Sequence, residues 1–271
     1  MKDRRYEELF TRLKANGEGA FVPFVMLGDP DAAASLKIIE ILIESGADAL
    51  ELGMPFSDPV ADGNVIQAAA SRALEAGVTP EGAFAVTARI RENHPRIPIG
   101  LLVYANLVLG KGLNAFYAAA AAAGVDSVLV ADAPIAESAD FLRAAKEHGI
   151  DQIFIAPPNA DGVKLREIAA AGGGYTYYLG RAGVTGADRV ISGLEKSKIK
   201  ILKDAGAPPI VVGFGISTPG HVMAALEAGA DGAISGSAVV KIIEKNLGDE
   251  TTMHHELAAF VKEMKAAAKI G

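Results

Sequence analysis

One tripeptide pattern recurs where helix-like sequence gives way to strand-like sequence. Gly46-Ala47-Asp48, Gly124-Val125-Asp126, Gly149-Ile150-Asp151 and Gly229-Ala230-Asp231 each close a helix-like stretch and open an apolar run. Glycine suits the residue after a helix, which often takes a left-handed conformation that clashes with a Cβ. The aspartate can bond nearby backbone donors before the strand starts. A chain that repeats this junction is built from β/α units. Eight apolar runs fit the strands, near 20–27, 48–53, 97–104, 127–131, 152–156, 175–179, 209–214 and 232–236. Helices are expected near 31–45, 64–76, 80–93, 112–123, 136–148, 162–171, 193–205, 218–228 and 238–246. Further helices are expected at the two ends, over 3–15 and 251–268. The apolar runs are nearly continuous, as in parallel sheets buried on both faces. The expected fold is one (β/α)8 barrel, the TIM-barrel architecture, over 1–271 with an extra helix at each end. A doubly wound open sheet is the rival, but it would carry a glycine-rich fingerprint in its first βα turn. That turn here reads LGDPD (27–31).

Composition narrows the function. With 33 acidic against 26 basic side chains, the net charge of −7 disfavours a general nucleic-acid binder, which needs a basic face. A small phosphorylated anion is still allowed, because it needs only local donors. The chain has no cysteine, which excludes disulfides, thiolate metal sites and cysteine nucleophiles. The charged start MKDRRYEELFTRLKANGEG is no signal peptide, and no run reaches the ~18 apolar residues of a membrane span. A soluble, cytoplasmic protein is expected, with no nucleic-acid or membrane partner. The five histidines are scattered and no HExxH occurs, so no metal site is expected. There is no phosphate-binding Walker loop and no GxSxG elbow. The strand interiors hold no lysine, which argues against Schiff-base chemistry.

In a barrel the chemistry sits at the C-terminal ends of the strands. Glu51 lies there between Leu50 and Leu52. A carboxylate in apolar surroundings is costly unless partnered or neutralised, so Glu51 is either a salt-bridged structural residue or a general acid/base with a raised pKa. The loop that follows carries Pro55, Asp58, Pro59 and Asp62. Taken singly, Asp58-Pro59 and Asp62-Gly63 are ordinary turn pairs. Together, Glu51 and Asp62 put two carboxyls at the mouth of one strand, able to hold and protonate a substrate with an N–H and a hydroxyl. The seventh and eighth strands end in GFGIS (213–217) and ISGSA (234–238), each just before a helix. Gly215, Gly236 and Ser237 can bring backbone N–H groups close to phosphate oxygens. The sixth strand is followed by GRAGVTG (180–186), with Arg181, Gly183, Thr185 and Gly186, and this segment suits a lid.

The segments LELGMPFSDPVADG (50–63), YANLV (104–108), GVDSVLVADAP (124–134), RAGVTG (181–186), GFGIS and GAISGSAVVKII (232–243) resemble the tryptophan synthase alpha subunit family in order and spacing. The resemblance runs from about residue 7 to the C-terminal helix. It implies a single-domain barrel that splits indole-3-glycerol phosphate into indole and glyceraldehyde 3-phosphate by a retro-aldol reaction. It implies no cofactor in this chain. It also implies a stable alpha2-beta2 complex with a pyridoxal-phosphate beta subunit that turns the indole into tryptophan. On the matching positions, Glu51 would be the acid/base and Asp62 would bind the indole N–H. Phe24, Leu102, Leu129, Tyr177 and Phe214 would line the indole pocket. Gly186, Gly215, Gly236 and Ser237 would hold phosphate, and Thr185 would reach Asp62 when the lid closes. Pro55, Asp58 and Pro59 would face the beta subunit. Asn64 and Gly180 depart from the family's usual proline and serine, so the start of the helix after Asp62 and the lid hinge are expected to differ. Two other readings are a free-standing lyase that releases indole and a largely non-catalytic activating subunit.

Overall fold

The computed structural model describes residues 4–180 and 194–269. Its eight strands are β1 (Ala20–Met26), β2 (Leu50–Gly53), β3 (Ile99–Val103), β4 (Ser127–Val130), β5 (Asp151–Ala156), β6 (Thr176–Leu179), β7 (Ile210–Gly213) and β8 (Gly232–Ser235). All neighbouring pairs are parallel, and β8 pairs with β1 to close the ring. The open-sheet alternative is therefore excluded. No helix of the described residues is long and apolar enough to cross a membrane.

The repeated junction forms as the residues demand. Gly46, Gly124, Gly149 and Gly229 have φ of +112°, +78°, +72° and +99°. Three of the aspartates then do the same job. Asp48, Asp126 and Asp231 accept the backbone N–H of Phe21, Ile99 and Ile210, at 2.9, 2.8 and 2.8 Å. Each thus ties the turn before one strand to the start of the preceding strand. Asp126 also receives Arg5 and Arg91, both at 2.7 Å, and so locks the N-terminal helix α1 (Arg5–Ala15) to the barrel floor. Asp231 is half-buried, so Asp231→Ala should cost about 1–2 kcal/mol, the scale of one lost hydrogen bond with its donor left in place. Denaturant unfolding checks this, and an unchanged midpoint would refute the capping role.

The core has two layers. Phe24, Leu129, Ile153, Tyr177, Val211 and Ile234 point into the barrel, while Val25, Leu52, Val128, Phe154 and Val212 pack outward against helices. The helical layer includes α2 (Ala32–Glu44), α3 (Asn64–Glu75), α4 (Pro80–Asn93), α5 (Ala105–Lys111) and α6 (Leu113–Ala122). It continues with α7 (Ala139–Glu147), α8 (Gly162–Ala171), α9 (Lys196–Asp204), α10 (Pro219–Glu227), α11 (Ser237–Lys245) and α12 (Glu250–Ala266). Several element bounds differ from the sequence reading, two of them informatively. Residues 105–111 form α5, separated from α6 by Gly112 at φ +87°. At seven residues it is too short to show helical periodicity. The strand expected at 48–53 begins only at Leu50, because Asp48 is engaged in its junction.

Candidate active site

A cavity of about 520 Å³ opens among the strand ends. Its walls include Phe24, Leu102, Leu129, Tyr177 and Phe214, which the sequence reading placed around the indole ring. Glu51, Asp62, Gly215, Gly236 and Ser237 share the same cavity. Thr185 and Gly186, with Arg181 and Gly183, lie outside the described residues. Pro55, Asp58 and Pro59 do not line the cavity. Pro55 is buried, Asp58 is exposed, and neighbouring Val60 is 76% exposed.

Glu51 sits in the middle of the ring, in register with Phe24 on β1 and Gly100 on β3. Only 2% of it is exposed. Among the described residues it meets no cation. Its carboxylate Oε1 accepts the Tyr175 hydroxyl at 2.9 Å. Burial, with a smaller push from Asp62, raises its pKa to about 7 even though the Tyr175 hydrogen bond opposes the rise. The floor beneath is a tyrosine cluster. The rings of Tyr6 and Tyr175 lie 5.5 Å apart, and the Tyr6 and Ser127 hydroxyls are hydrogen-bonded at 2.9 Å. Gly100 leaves the space these hydroxyls fill, since a Cβ there would lie 2.9 Å from Ser127 Oγ.

Asp62 lines the same cavity from the loop after β2. Burial raises its pKa to about 6, against a hydrogen bond from Tyr104. Tyr104 organises this loop. Its hydroxyl accepts the Ala61 N–H at 3.1 Å, and its ring stacks on Phe56 at 5.3 Å. Gln67 Nε2 donates to the Asp62 carbonyl at 2.7 Å. With Asn64 in place of proline, α3 still begins at that residue, closed by the Ile66 and Gln67 N–H groups on Gly63 O, each at 3.0 Å.

Another part of the rim suits an anion. Gly236 immediately precedes α11, so the free N–H groups of that helix face the cavity. Gly215 has φ +84°, and Phe214, at φ +69°, is the only non-glycine among the described residues with positive φ. A left-handed aromatic residue is a strained conformation that the surroundings must hold, and such outliers gather at functional sites.

The sequence reading missed Tyr175, Tyr104, Gln67, Ile153 and Ile234 as site residues. Tyr175 was within reach, since it lies two residues before Tyr177 and residues two apart in a strand share a face. Tyr104 opens the YANLV segment (104–108), where nothing local marks its contact with Asp62. No group of three or more His, Cys, Asp or Glu side chains among the described residues could hold a metal ion.

A closed barrel in which one cavity holds two buried carboxyls and a glycine-framed helix N-terminus has the parts of an acid–base enzyme for a phosphorylated substrate. Its relatives give the particular family. A family model described as tryptophan synthase alpha chain matches residues 10–269. The tryptophan synthase alpha chain of Klebsiella pneumoniae is 61% identical over 266 residues, covering 98% of both chains. That of Shewanella oneidensis is 58% identical, covering 97% of this chain and 95% of its own. Among solved structures, a Mycobacterium tuberculosis tryptophan synthase chain superposes with TM-score 0.88 at 30% identity, covering 98% and 99% of the two chains. A chain of the Pyrococcus furiosus tryptophan synthase a2b2 complex gives TM-score 0.83 at 35% identity, covering 92% of this chain and 98% of its own. The chain belongs to the tryptophan synthase alpha chain family.

Proposed function

We propose that this chain, as a single-domain cytoplasmic lyase, cleaves indole-3-glycerol phosphate to indole and glyceraldehyde 3-phosphate with Glu51 as acid/base and Asp62 on the ring nitrogen. One observation carries the residue assignment: two carboxyls of raised pKa share an apolar cavity with a glycine-framed helix N-terminus. The chemistry follows from the protonation states. With a pKa of about 7, Glu51 is substantially protonated near neutral pH and can give its proton to indole C3. Positive charge then grows on the ring nitrogen, where ionised Asp62 accepts the N–H and stabilises it. The bond from C3 to the glycerol carbon breaks and its electron pair returns to the ring. The glycerol hydroxyl next to that bond becomes the aldehyde and yields its proton to the Glu51 carboxylate, so the acid is regenerated. The phosphate would lie on the N–H groups at Gly236 and Ser237 and beside Gly215. Tyr175 keeps Glu51 aligned, and Tyr104 does the same for Asp62.

The reading assigns no cofactor to this chain. Pyridoxal phosphate belongs to the beta subunit, with which this chain would form an alpha2-beta2 complex. The loop of Pro55, Asp58 and Pro59, with Val60 exposed beside them, supports a partner surface next to Asp62.

Measuring indole release from the purified chain, alone and with a beta subunit, tests this. Slow cleavage alone and faster cleavage with the partner are expected. Full activity alone would favour a free-standing lyase, and none under either condition an activating subunit. Gly236→Asp tests the phosphate rim. A Cβ there would meet Phe24 at no less than 3.5 Å and the backbone φ is −105°, so the side chain fits without strain. Its charge opposes a phosphate at the same N–H groups. KM should rise more than ~10-fold with the thermal midpoint nearly unchanged, a loss of about 1.4 kcal/mol or more in binding. An unchanged KM would refute this placement.

A further inference from the structure

We propose that Arg72 is a positioning residue of this site, holding α3, and through it Asp62, against the barrel rim. This rests on the reading of Asp62 given above. α3 is the first of two helices in the connection from β2 to β3. Its inward face is Ile66 with the small residues Ala69, Ala70 and Ala73, packed in the inner cluster beside Val240 of α11. Alanines bury little area, so apolar packing alone holds this helix weakly. Arg72 supplies the directional contact. Its Nε and Nη2 donate to the two carboxylate oxygens of Asp29 at 2.7 and 2.8 Å, and Nη1 reaches Glu244 of α11 at 3.3 Å. The Asp29 side chain is 1% exposed and that of Arg72 18%. Asp29 is itself fixed, because it stands just after β1 where the Leu27 N–H bonds Gly53 O at 2.9 Å, at the end of the strand that carries Glu51.

The other end of the helix meets the chemistry. Ile66 lines the cavity, and Gln67 holds the Asp62 carbonyl. The helix is thus a short rigid bar between a buried, forked ion pair and the loop bearing Asp62. Asn64 adds to the need for such an anchor, since a proline at that first helical position would have pre-set φ and asparagine does not. A planar guanidinium matches both oxygens of a carboxylate, whereas an ammonium meets them as a point charge. Arg72→Lys should therefore keep the charge pairing and lose the alignment.

The test measures cleavage by the full chain with its beta subunit, for Arg72→Lys, Asp62→Asn and the double variant. A displacement near 1 Å can cost about 100-fold, so Arg72→Lys should lower kcat about 10- to 100-fold with KM within about threefold. In the Asp62→Asn background, the same change should lower kcat by less than about twofold, because its effect runs through Asp62. Equal losses in both backgrounds would show a general structural role and overturn the proposal, as would a normal kcat for Arg72→Lys. If Arg72→Lys does not fold, Arg72→Gln with Asp29→Asn leaves no lone buried charge and is read by the same criteria. Failure of both to fold would overturn the proposal, the pair then serving the fold itself. A fully active Asp62→Asn enzyme would overturn the site reading and the proposal with it. An inactive one beside a normal Arg72→Lys overturns the proposal alone.

Discussion

Glu51→Gln is expected to abolish most cleavage and, at the same time, to make the protein more stable above neutral pH. The loss should be at least ~100-fold in kcat, the scale of one general acid–base group. The gain in stability has a separate cause. The folded chain raises the Glu51 pKa from 4.5 to about 7, so it favours the protonated form. That contribution is fully present below pH 4.5 and is lost as pH rises through about 7. Each pKa unit corresponds to about 1.4 kcal/mol, so ionising the buried group costs roughly 3 kcal/mol. Glutamine keeps a side-chain oxygen for the Tyr175 hydroxyl and never ionises. The stability of Glu51→Gln relative to the parent should therefore be near zero at pH 4.5 and grow to a few kcal/mol by pH 8. Asp62 titrates in both proteins, so only its small coupling to Glu51 enters the difference. Denaturant midpoints across this range, with the rate of indole release, check both halves. A constant difference across pH would mean that Glu51 is not held in a desolvated place.

The second large effect is expected from a residue with no side chain. A Cβ at Gly213 would lie 2.1 Å from the Tyr177 hydroxyl oxygen and 2.2 Å from Cζ. No contact that short can stand, and the obstacle is a buried ring rather than a flexible chain end. Tyr177 can relieve it by swinging into the adjacent cavity, the space assigned to the indole ring. Gly213→Val should therefore leave the barrel folded and lower kcat/KM by more than ~100-fold, or about 2.7 kcal/mol in transition-state binding. Gly110→Ala is the contrast. It lies on α5 with nothing within 4 Å of an added Cβ, and activity should be unchanged. A Gly213→Val enzyme within tenfold of normal would show that Tyr177 does not line the reacting pocket.

Both effects depend on features of different legibility. Glu51 stood out in the sequence because a lone carboxylate between leucines at a strand end conflicts with the apolar run around it. Its raised pKa follows from burial and could be anticipated. Gly213 gave no such signal, since its meaning lies in a tyrosine 36 positions earlier that faces it across β6 and β7. The structure also showed what holds Glu51 in place. Tyr175 is 124 residues away, and only closure of the ring brings it to 2.9 Å.

The sequence by itself determined the order of the β/α units, the closed eight-stranded barrel and the end of the barrel where chemistry belongs. These follow from interactions within a few residues: glycine's freedom after a helix, the aspartate beside it, and runs too apolar to face water. The same local logic picked out Glu51, Asp62, Gly215, Gly236 and Ser237 around the cavity, because strand ends and helix starts are marked by their own side chains, whereas Phe24, Leu102, Leu129, Tyr177 and Phe214 followed from the family resemblance. Only the tertiary structure decided which partners those residues meet. The hydrogen bond of Tyr104 to Asp62, the stack on Phe56 and the Arg72–Asp29 fork all join distant segments. Their geometry is set by strand register and barrel closure, which bring together residues whose separation along the chain says nothing of their distance in space.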